Sequence, residues 1–352
     1  MTTIAHPSLA AAESRSADLE ARLRRDPAAF RMLTGDRPTG PLHLGHYFGT
    51  LENRVRLQGA GIDMFVLIAD YQTLTDRDAS ARLPRDVLGQ VADYLAIGLD
   101  PERVTIFAHS AVEALNQLVL PLLSLVTVAE LARNPTVKAE SGDRPMRALM
   151  LAYPVHQAAD ILFCRANVVP VGRDQLPHLE LTRTIARRFN ERYGKGARVL
   201  PEPQALLGSA PLLLGTDGRK MSASRGNAIA LGATEDETAR LIGGAKTDAD
   251  RRIAFDPVRR PEISNLVLIA ALCRDEAPEA VVEQVDGRGA AALKRLTIEA
   301  VNERLRPIRR RRAEVLSDPG QLLSVLRAGN RRAREVAADT LLDVRRRMHM
   351  VY

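Results

Sequence analysis

At 352 residues with 45% hydrophobic content, the chain is long enough to bury one large core or two modest ones, and disorder over most of its length is excluded. No apolar run reaches membrane-spanning length and the start lacks the charged-then-apolar order of a secretory signal, so a cytosolic (cytoplasmic) protein with no membrane partner is expected. The formal charge of +7 comes mostly from arginine, which fits both a polyanionic partner and a genome rich in arginine codons, so the placement of the arginines matters more than their sum.

In chain order, residues 1–30 are rich in Ala, Ser and Arg but include Glu13, Asp18, Glu20 and Asp26, acids that an organellar transit peptide avoids. An N-terminal extension ending in a short helix is expected there. A first strand starts near Arg31, and the continuous apolar run from Met64 to Ala69 has the pattern of a parallel strand buried on both faces. Between it and a further strand at Val104–Ala108, Val87, Val91, Tyr94 and Leu95 recur at helical spacing after Pro84, a good first-turn residue, which makes the alternation βαβ. Residues 111–132 and 146–164 read as long helices, and Val168–Val171 as a short strand running into Gly172 and a helix through Phe189. After about residue 215 the strand signals stop, and Thr234 to Arg347 reads as successive amphipathic helices. The expectation is an α/β fold, a doubly wound parallel sheet of Rossmann type over 31–215, with a smaller C-terminal α-helical domain over 216–352 whose last helix is a candidate to pack back on the catalytic domain. Cys164 and Cys273 stand far apart with no CxxC or paired histidine, which suggests neither a zinc site nor a disulfide.

Two segments carry chemistry. Gly35-Asp-Arg37-Pro38-Thr39-Gly40-Pro-Leu-His43-Leu-Gly45-His46 is a glycine-rich turn opening into a helix, whose free N–H groups and dipole favour anions. His43 and His46, three apart, point to one side of the first turn, and Gly45 leaves room for a flat ring against the backbone. Lys220-Met221-Ser222-Ala223-Ser224 follows the turn Gly215-Thr-Asp-Gly218 and puts a cation and two hydroxyls on a loop able to close over a polyphosphate. Taken singly, the first is as readily a pair of capping histidines and the second a solvated loop lysine.

Together, in this order and at these places, the two segments resemble the paired HIGH and KMSKS signatures of class I aminoacyl-tRNA synthetases. Tyr153-Pro-Val-His-Gln157-Ala-Ala-Asp160 and Val169-Pro-Val171-Gly172-Arg173-Asp174-Gln175 further resemble the bacterial tryptophanyl-tRNA synthetases, and the similarity continues through His178 to Arg183, Arg188 to Asn190 and Pro261 to Leu266. The resemblance implies ATP as substrate, with magnesium riding on its phosphates, L-tryptophan as the amino acid and tRNA(Trp) as acceptor. It implies His43, His46, Lys220, Ser222 and Ser224 as catalytic groups, and ATP contacts from Arg37, Pro38, Thr39, Gly45, His46, Gly172, Arg173, Asp174, Gln175 and Lys220 through Ser224. Leu33, Gln72, Tyr153, Gln157, Asp160, Val169 and Val171 would line the tryptophan slot, with Asp160 accepting the indole N–H. No metal site built from side chains alone is expected. A homodimer joined near residues 111–165 is implied, as is tRNA contact by some of Arg304, Arg306, Arg309 to Arg312, Arg331, Arg332, Arg334 and Arg345 to Arg347.

The sequence departs from that pattern in places. Gln72 stands where the family often has histidine, Gln157 where methionine is common, Ala223 where the loop usually has a second lysine, and Arg37 where glutamine is frequent. Tyrosyl-tRNA synthetases share the Gln-x-x-Asp of Gln157 and Asp160, but the Gly-Gly-Ser-Asp-Gln pattern expected of them is absent. Small nucleotidyltransferases share the first motif without the helical domain and its loop. A non-catalytic tRNA-binding paralogue is a third reading.

Overall fold

Five short strands form one parallel sheet: β1 (Arg31–Asp36), β2 (Asp63–Ile68), β3 (Val104–Ala108), β4 (Val168–Val171) and β5 (Gln204–Leu207), in spatial order β3-β2-β1-β4-β5. The computed structural model describes residues 7–75, 81–141, 146–208 and 212–352. Along β2, Met64, Val66 and Ile68 enter one core layer with Met32, Val104 and Ile106, while Phe65 and Leu67 enter the other with Leu33, Phe107, Val169 and Val171. Both faces are covered, which is why the strands read as unbroken apolar runs. Phe65, Phe107 and Phe163 pack edge to face in the second layer.

Chain order reverses between β1 and β4: β2 and β3 lie to one side of β1, and β4 and β5 to the other. Such a reversal opens a crevice at the carboxyl ends of the two strands, the place where doubly wound sheets hold ligands. β1 and β4 pair at Met32↔Val168, and Pro170 beyond it has no N–H to donate.

α1 (Pro7–Arg25) corrects the reading of residues 1–30 as an appendage. Its buried Leu19 and Leu23 join the core, the Ser16 hydroxyl oxygen accepts from the Leu207 N–H at 2.8 Å, and Arg22 donates to Gln204 at 3.1 Å. The helix covers the β5 edge, which would otherwise offer unpaired backbone groups. Residues 1–6 lie outside the described part of the chain.

After β1 come α2 (Leu44–His46), a π-helical turn (Tyr47–Leu51) and α3 (Glu52–Gly59). α4 (Leu83–Ala96) links β2 to β3. The single helix expected over 111–132 is divided: α5 (Glu113–Leu123) stops, and Thr127 opens α6 (Val128–Arg133). Thr127 Oγ1 accepts from the Glu130 N–H at 3.2 Å while Glu130 accepts from the Thr127 N–H at 2.9 Å, a reciprocal cap that starts a new helix within an apolar pattern. α7 (Pro135–Ser141), α8 (Ala148–Phe163) and α9 (Leu176–Tyr193) complete this part.

The remainder is helical as expected: α10 (Glu235–Gly243), α11 (Pro261–Arg274), α12 (Pro278–Val285), α13 (Gly289–Leu316) and α14 (Pro319–Arg347). α14 lies directly on β3. A Cβ at Gly329 would stand 1.8 Å from the Ile106 carbonyl oxygen, so only glycine permits the approach. Asn330 then accepts from the Ala108 N–H at 3.0 Å, and the small buried Ala333 and Ala337 continue the contact. Arg312 of α13 reaches the buried Asp93 of α4 at 2.5 Å.

Candidate active site

β1 ends in Gly35, where a Cβ would meet the Leu67 carbonyl oxygen at 2.3 Å, so the turn into the first motif needs glycine. The His43 and His46 rings stack with centroids 3.8 Å apart. The His43 N–H donates to His46 Nδ1 at 3.2 Å, which leaves the His46 proton on Nε2, ready to donate outward. Burial holds the His43 imidazole down at about 3, helped by the neighbouring His46, so it stays neutral at physiological pH. His46 is also pushed down by burial; Asp36 opposes the shift, and Arg54 and Lys220 add to it. Any phosphate contact from this pair is therefore dipolar N–H donation, and the positive charge must come from elsewhere.

Lys220 is exposed on a loop tied to the same turn. Leu44 N–H donates to the Ile229 carbonyl at 3.0 Å and Leu231 N–H to the Leu42 carbonyl at 2.9 Å, so the segment after the loop pairs antiparallel with the histidine motif. Buried Asn227 folds the loop by donating to Asp217 at 2.7 Å and to the Lys220 carbonyl at 3.2 Å, and by accepting from the Ser222 N–H at 2.8 Å. Ser222 and Ser224 hydroxyls lie 3.0 Å apart. Ala223 comes within 3.3 Å of a Cβ placed at Gly40, whose φ of +134° is open to glycine. The Met221 side chain is buried with its sulfur under Gly45 and anchors the loop, which leaves its backbone for the expected ATP contact.

A cleft of about 340 Å³ opens where β1 and β4 part. All seven residues expected in the tryptophan slot, Leu33, Gln72, Tyr153, Gln157, Asp160, Val169 and Val171, line it, together with Arg37, Gly172 and Gln175 from the expected ATP set. The other expected ATP residues stand outside that lining. Pro38 and Thr39 lie in the turn leading to the histidines, and Arg173 and Asp174 are exposed after β4, where Arg173 pairs with Glu13 of α1 at 2.7 Å. The Asp174 carboxylate folds back over Gly172, 2.6 Å from where a Cβ would stand.

Sequence reasoning missed several lining groups. Fully buried Arg54 binds Asp36 at 2.7 Å, and Tyr94 donates to the same carboxylate at 2.8 Å. Burial raises the Asp36 carboxyl, but the charge and hydrogen bond of Arg54, with His46 and the Tyr94 hydroxyl, together outweigh it and the net shift is down, so both groups stay ionised beside the cleft. Asp36, the last residue of β1, falls inside the glycine-rich motif, a signal that could have found it; nothing local marks Arg54.

Tyr153 is held through a relay whose proton positions are fixed. Asn134 Oδ1 accepts from the Thr136 N–H at 3.0 Å, so its Nδ2 donates to His178 Nδ1 at 3.4 Å and His178 Nε2 donates to the Tyr153 oxygen at 2.8 Å. Burial holds His178 down at about 4 against its usual 6.5. The unfolded chain binds a proton there that the folded chain refuses, so this stability is present above about pH 6.5 and drains away as pH falls towards 4. The melting temperature is expected to drop across that window and to drop less in His178→Gln, as thermal unfolding between pH 7 and pH 4.5 will show; an identical slope in the variant removes His178 from the effect.

Asp160, at the floor of the cleft, is 1% exposed and His109, at the end of β3, is 0% exposed. His109 Nε2 lies 2.8 Å from Asp160 Oδ1, and His156 stacks on His109 with ring centroids 4.6 Å apart. Neither histidine was singled out in the sequence, although His109 directly follows a strand, where ligand-binding residues gather.

The family described as tRNA synthetases class I (W and Y) matches residues 26–306, and the chain belongs to it. Among its relatives, the tryptophan–tRNA ligase of Clostridium longisporum is 42% identical over 333 residues, 91% of this chain and 97% of that protein. That of Streptococcus pyogenes serotype M1 is 41% identical, again over 91% of this chain and 98% of its own length. In structure, the tryptophanyl-tRNA synthetase of Campylobacter jejuni complexed with ADP and tryptophan superposes with a TM-score of 0.79 at 29% identity, covering 91% of this chain and 99% of the other.

Proposed function

We infer that this protein is a tryptophan–tRNA ligase, which activates L-tryptophan with ATP and passes it to tRNA(Trp). The observation that carries the reading is the cleft at the sheet's reversal: the residues implied for indole recognition, drawn from β1, β4, α8 and the turn after β2, line one cavity together with Gly35, Asp36 and Arg37 from the start of the first motif. The ligase identity of relatives over 91% of the chain supports it.

In this reading the tryptophan carboxylate attacks the α-phosphate of ATP, pyrophosphate leaves, and a ribose hydroxyl of the tRNA then displaces AMP. No protein nucleophile is needed; positioning and charge stabilisation do the work. Val169, Val171 and Leu33 supply the flat apolar wall. Asp160 accepts the indole N–H, and the oxygen of Tyr153, its ring fixed by His178, takes the substrate ammonium with Gln157. His46 Nε2–H and Lys220 meet the polyphosphate, and magnesium, bound through the phosphates, would share the neutralisation of its charge. Exchange of pyrophosphate into ATP, measured with each standard amino acid in turn, tests the assignment: tryptophan alone should support it. Exchange with tyrosine would move the substrate, and none with any amino acid in folded protein would favour a binding paralogue.

We also propose a homodimer joined through α5, α6 and the start of α8, in the cytoplasm. Leu120 and Val128 are 75% and 70% exposed there, with Met146 and Leu149 also exposed, a large apolar surface for a monomer. Sedimentation should report a dimer for the native chain and a monomer for Leu120→Glu/Val128→Glu; a native monomer would refute the proposal. Of the C-terminal arginines, Arg304 and Arg312 are committed to Asp275, Glu52 and Asp93, so tRNA contact falls to exposed ones such as Arg306, Arg311, Arg331 and Arg346.

A further inference from the structure

Asp160 at the floor of the cleft and two histidines gathered beside it have a geometry that indole recognition does not account for. One ligand atom from each of His109, His156 and Asp160 lies within 4.8 Å of the other two, and all three residues are buried. His109 Nε2 and Asp160 Oδ1 are 2.8 Å apart but not aligned for an N–H···O bond, and both His109 nitrogens and both Asp160 oxygens lack a hydrogen-bond partner among the described residues. Leaving such groups unpaired and out of water is unfavourable, most of all for a charged one. Two lone-pair donors this close, turned away from a shared proton, repel each other unless a cation lies between them.

His156 is oriented as a ligand would be. Asn116 Nδ2 donates to the carbonyls of His109 at 3.1 Å and Val112 at 3.0 Å, so its Oδ1 must accept from His156 Nε2 at 2.9 Å. That bond places the imidazole proton on Nε2 and leaves Nδ1 as a lone pair, the second-sphere arrangement that fixes metal-binding histidines. Burial also lowers His156 below its usual value, against the pull of Asp160, so it is neutral near pH 7. A set of two imidazoles and one carboxylate suits a first-row divalent ion; bonds of about 2.0–2.2 Å in a tetrahedral array set ligand atoms about 3.4 Å apart, so His109 and Asp160 would part slightly while His156 closes in.

We propose that His109, His156 and Asp160 form a binding site for a first-row divalent cation such as zinc or cobalt, and that cation and tryptophan exclude each other because both require the Asp160 carboxylate. The exclusion, though not the cation site itself, rests on the indole role given to Asp160 above. The cleft supplies the open fourth position, since Asp160 lines it beside Gln157 and Tyr153. Metal entry would make the ligase sensitive to free divalent transition ions, with tryptophan protecting it.

The test is a cobalt(II) titration of the full chain, stripped with chelator and desalted, followed by visible absorption and equilibrium dialysis. Wild type, His109→Gln and His156→Gln are compared after thermal unfolding has shown each to be folded. One cobalt per chain in wild type, weakened at least ~10-fold in both variants, supports the site. No binding, or binding equally tight in the variants, overturns it. Adding tryptophan without ATP reads the second half: release of cobalt supports the exclusion, whereas cobalt retained while tryptophan still drives pyrophosphate exchange overturns it and takes Asp160 out of indole contact, leaving the ligase reading standing.

Discussion

Lys220→Ala is expected to lower the rate of tryptophan-dependent pyrophosphate exchange by ~10²–10³-fold while the KM for tryptophan changes little. The reason lies in how charge is distributed around the first motif. His43 is held neutral by burial and His46 is pushed the same way, so neither brings a full positive charge to the phosphates. Arg54 is fully buried and committed to Asp36. Ala223 stands where a second lysine is usual, and Lys220 is exposed on a loop whose backbone is pinned by Asn227. Truncating it therefore removes charge without removing the fold of the loop. Charge on the departing pyrophosphate grows as the bond to the α-phosphate breaks, so the lysine's contact strengthens in the transition state and the loss appears in kcat. Steady-state exchange kinetics at saturating ATP separate the two parameters. An unchanged kcat would take the loop out of the chemistry, and a matching rise in the tryptophan KM would place Lys220 in the ground-state complex.

The parts of the fold that were legible in the sequence are those whose signal is local. β2 and β3 are continuous apolar runs because both faces of the sheet are covered, and the C-terminal helices keep an amphipathic period. β5 went unseen because four residues, Gln204 to Leu207, carry too little pattern to separate from a loop. The role of α1 could not be read either, since Ser16 meets Leu207 across the whole sheet domain. The lesson is similar at the site. The cleft residues were named through resemblance, and the chain does bring them together. Arg54 with Asp36, Asn116 with His156, and His109 with Asp160 are pairings between distant elements, each formed by a side chain with no motif around it. Apolar period cannot announce such pairs, because it reports burial and not the partner. Met221 lies inside a recognised motif, and the packing of its side chain under Gly45 is a part of its place that the motif does not announce.

Asp160→Asn should reduce kcat/KM for tryptophan by ~10- to 100-fold, the worth of a hydrogen bond to a charged acceptor, while leaving the protein folded. Asparagine keeps the size and shape that the fully buried position between His109 and Ile161 requires, so packing is preserved. What changes is chemistry: the amide carries one acceptor and one donor in place of two acceptors, and its charge is gone. If His109 takes the amide oxygen, the amide N–H₂ faces the slot and opposes the indole N–H. Discrimination against phenylalanine and tyrosine should then fall along with affinity, since rejection of an amino acid lacking the ring N–H depends on leaving the carboxylate unpaired. Pyrophosphate exchange with tryptophan and with each competitor measures that ratio directly, and thermal unfolding reads the fold in parallel. A variant that melts far below the native protein would mean that Asp160 is chiefly a structural partner of His109. A stable variant with unaltered selectivity would mean that the indole N–H finds its acceptor elsewhere in the cleft, and Gln72 and Gln157 are the two side chains placed to provide it.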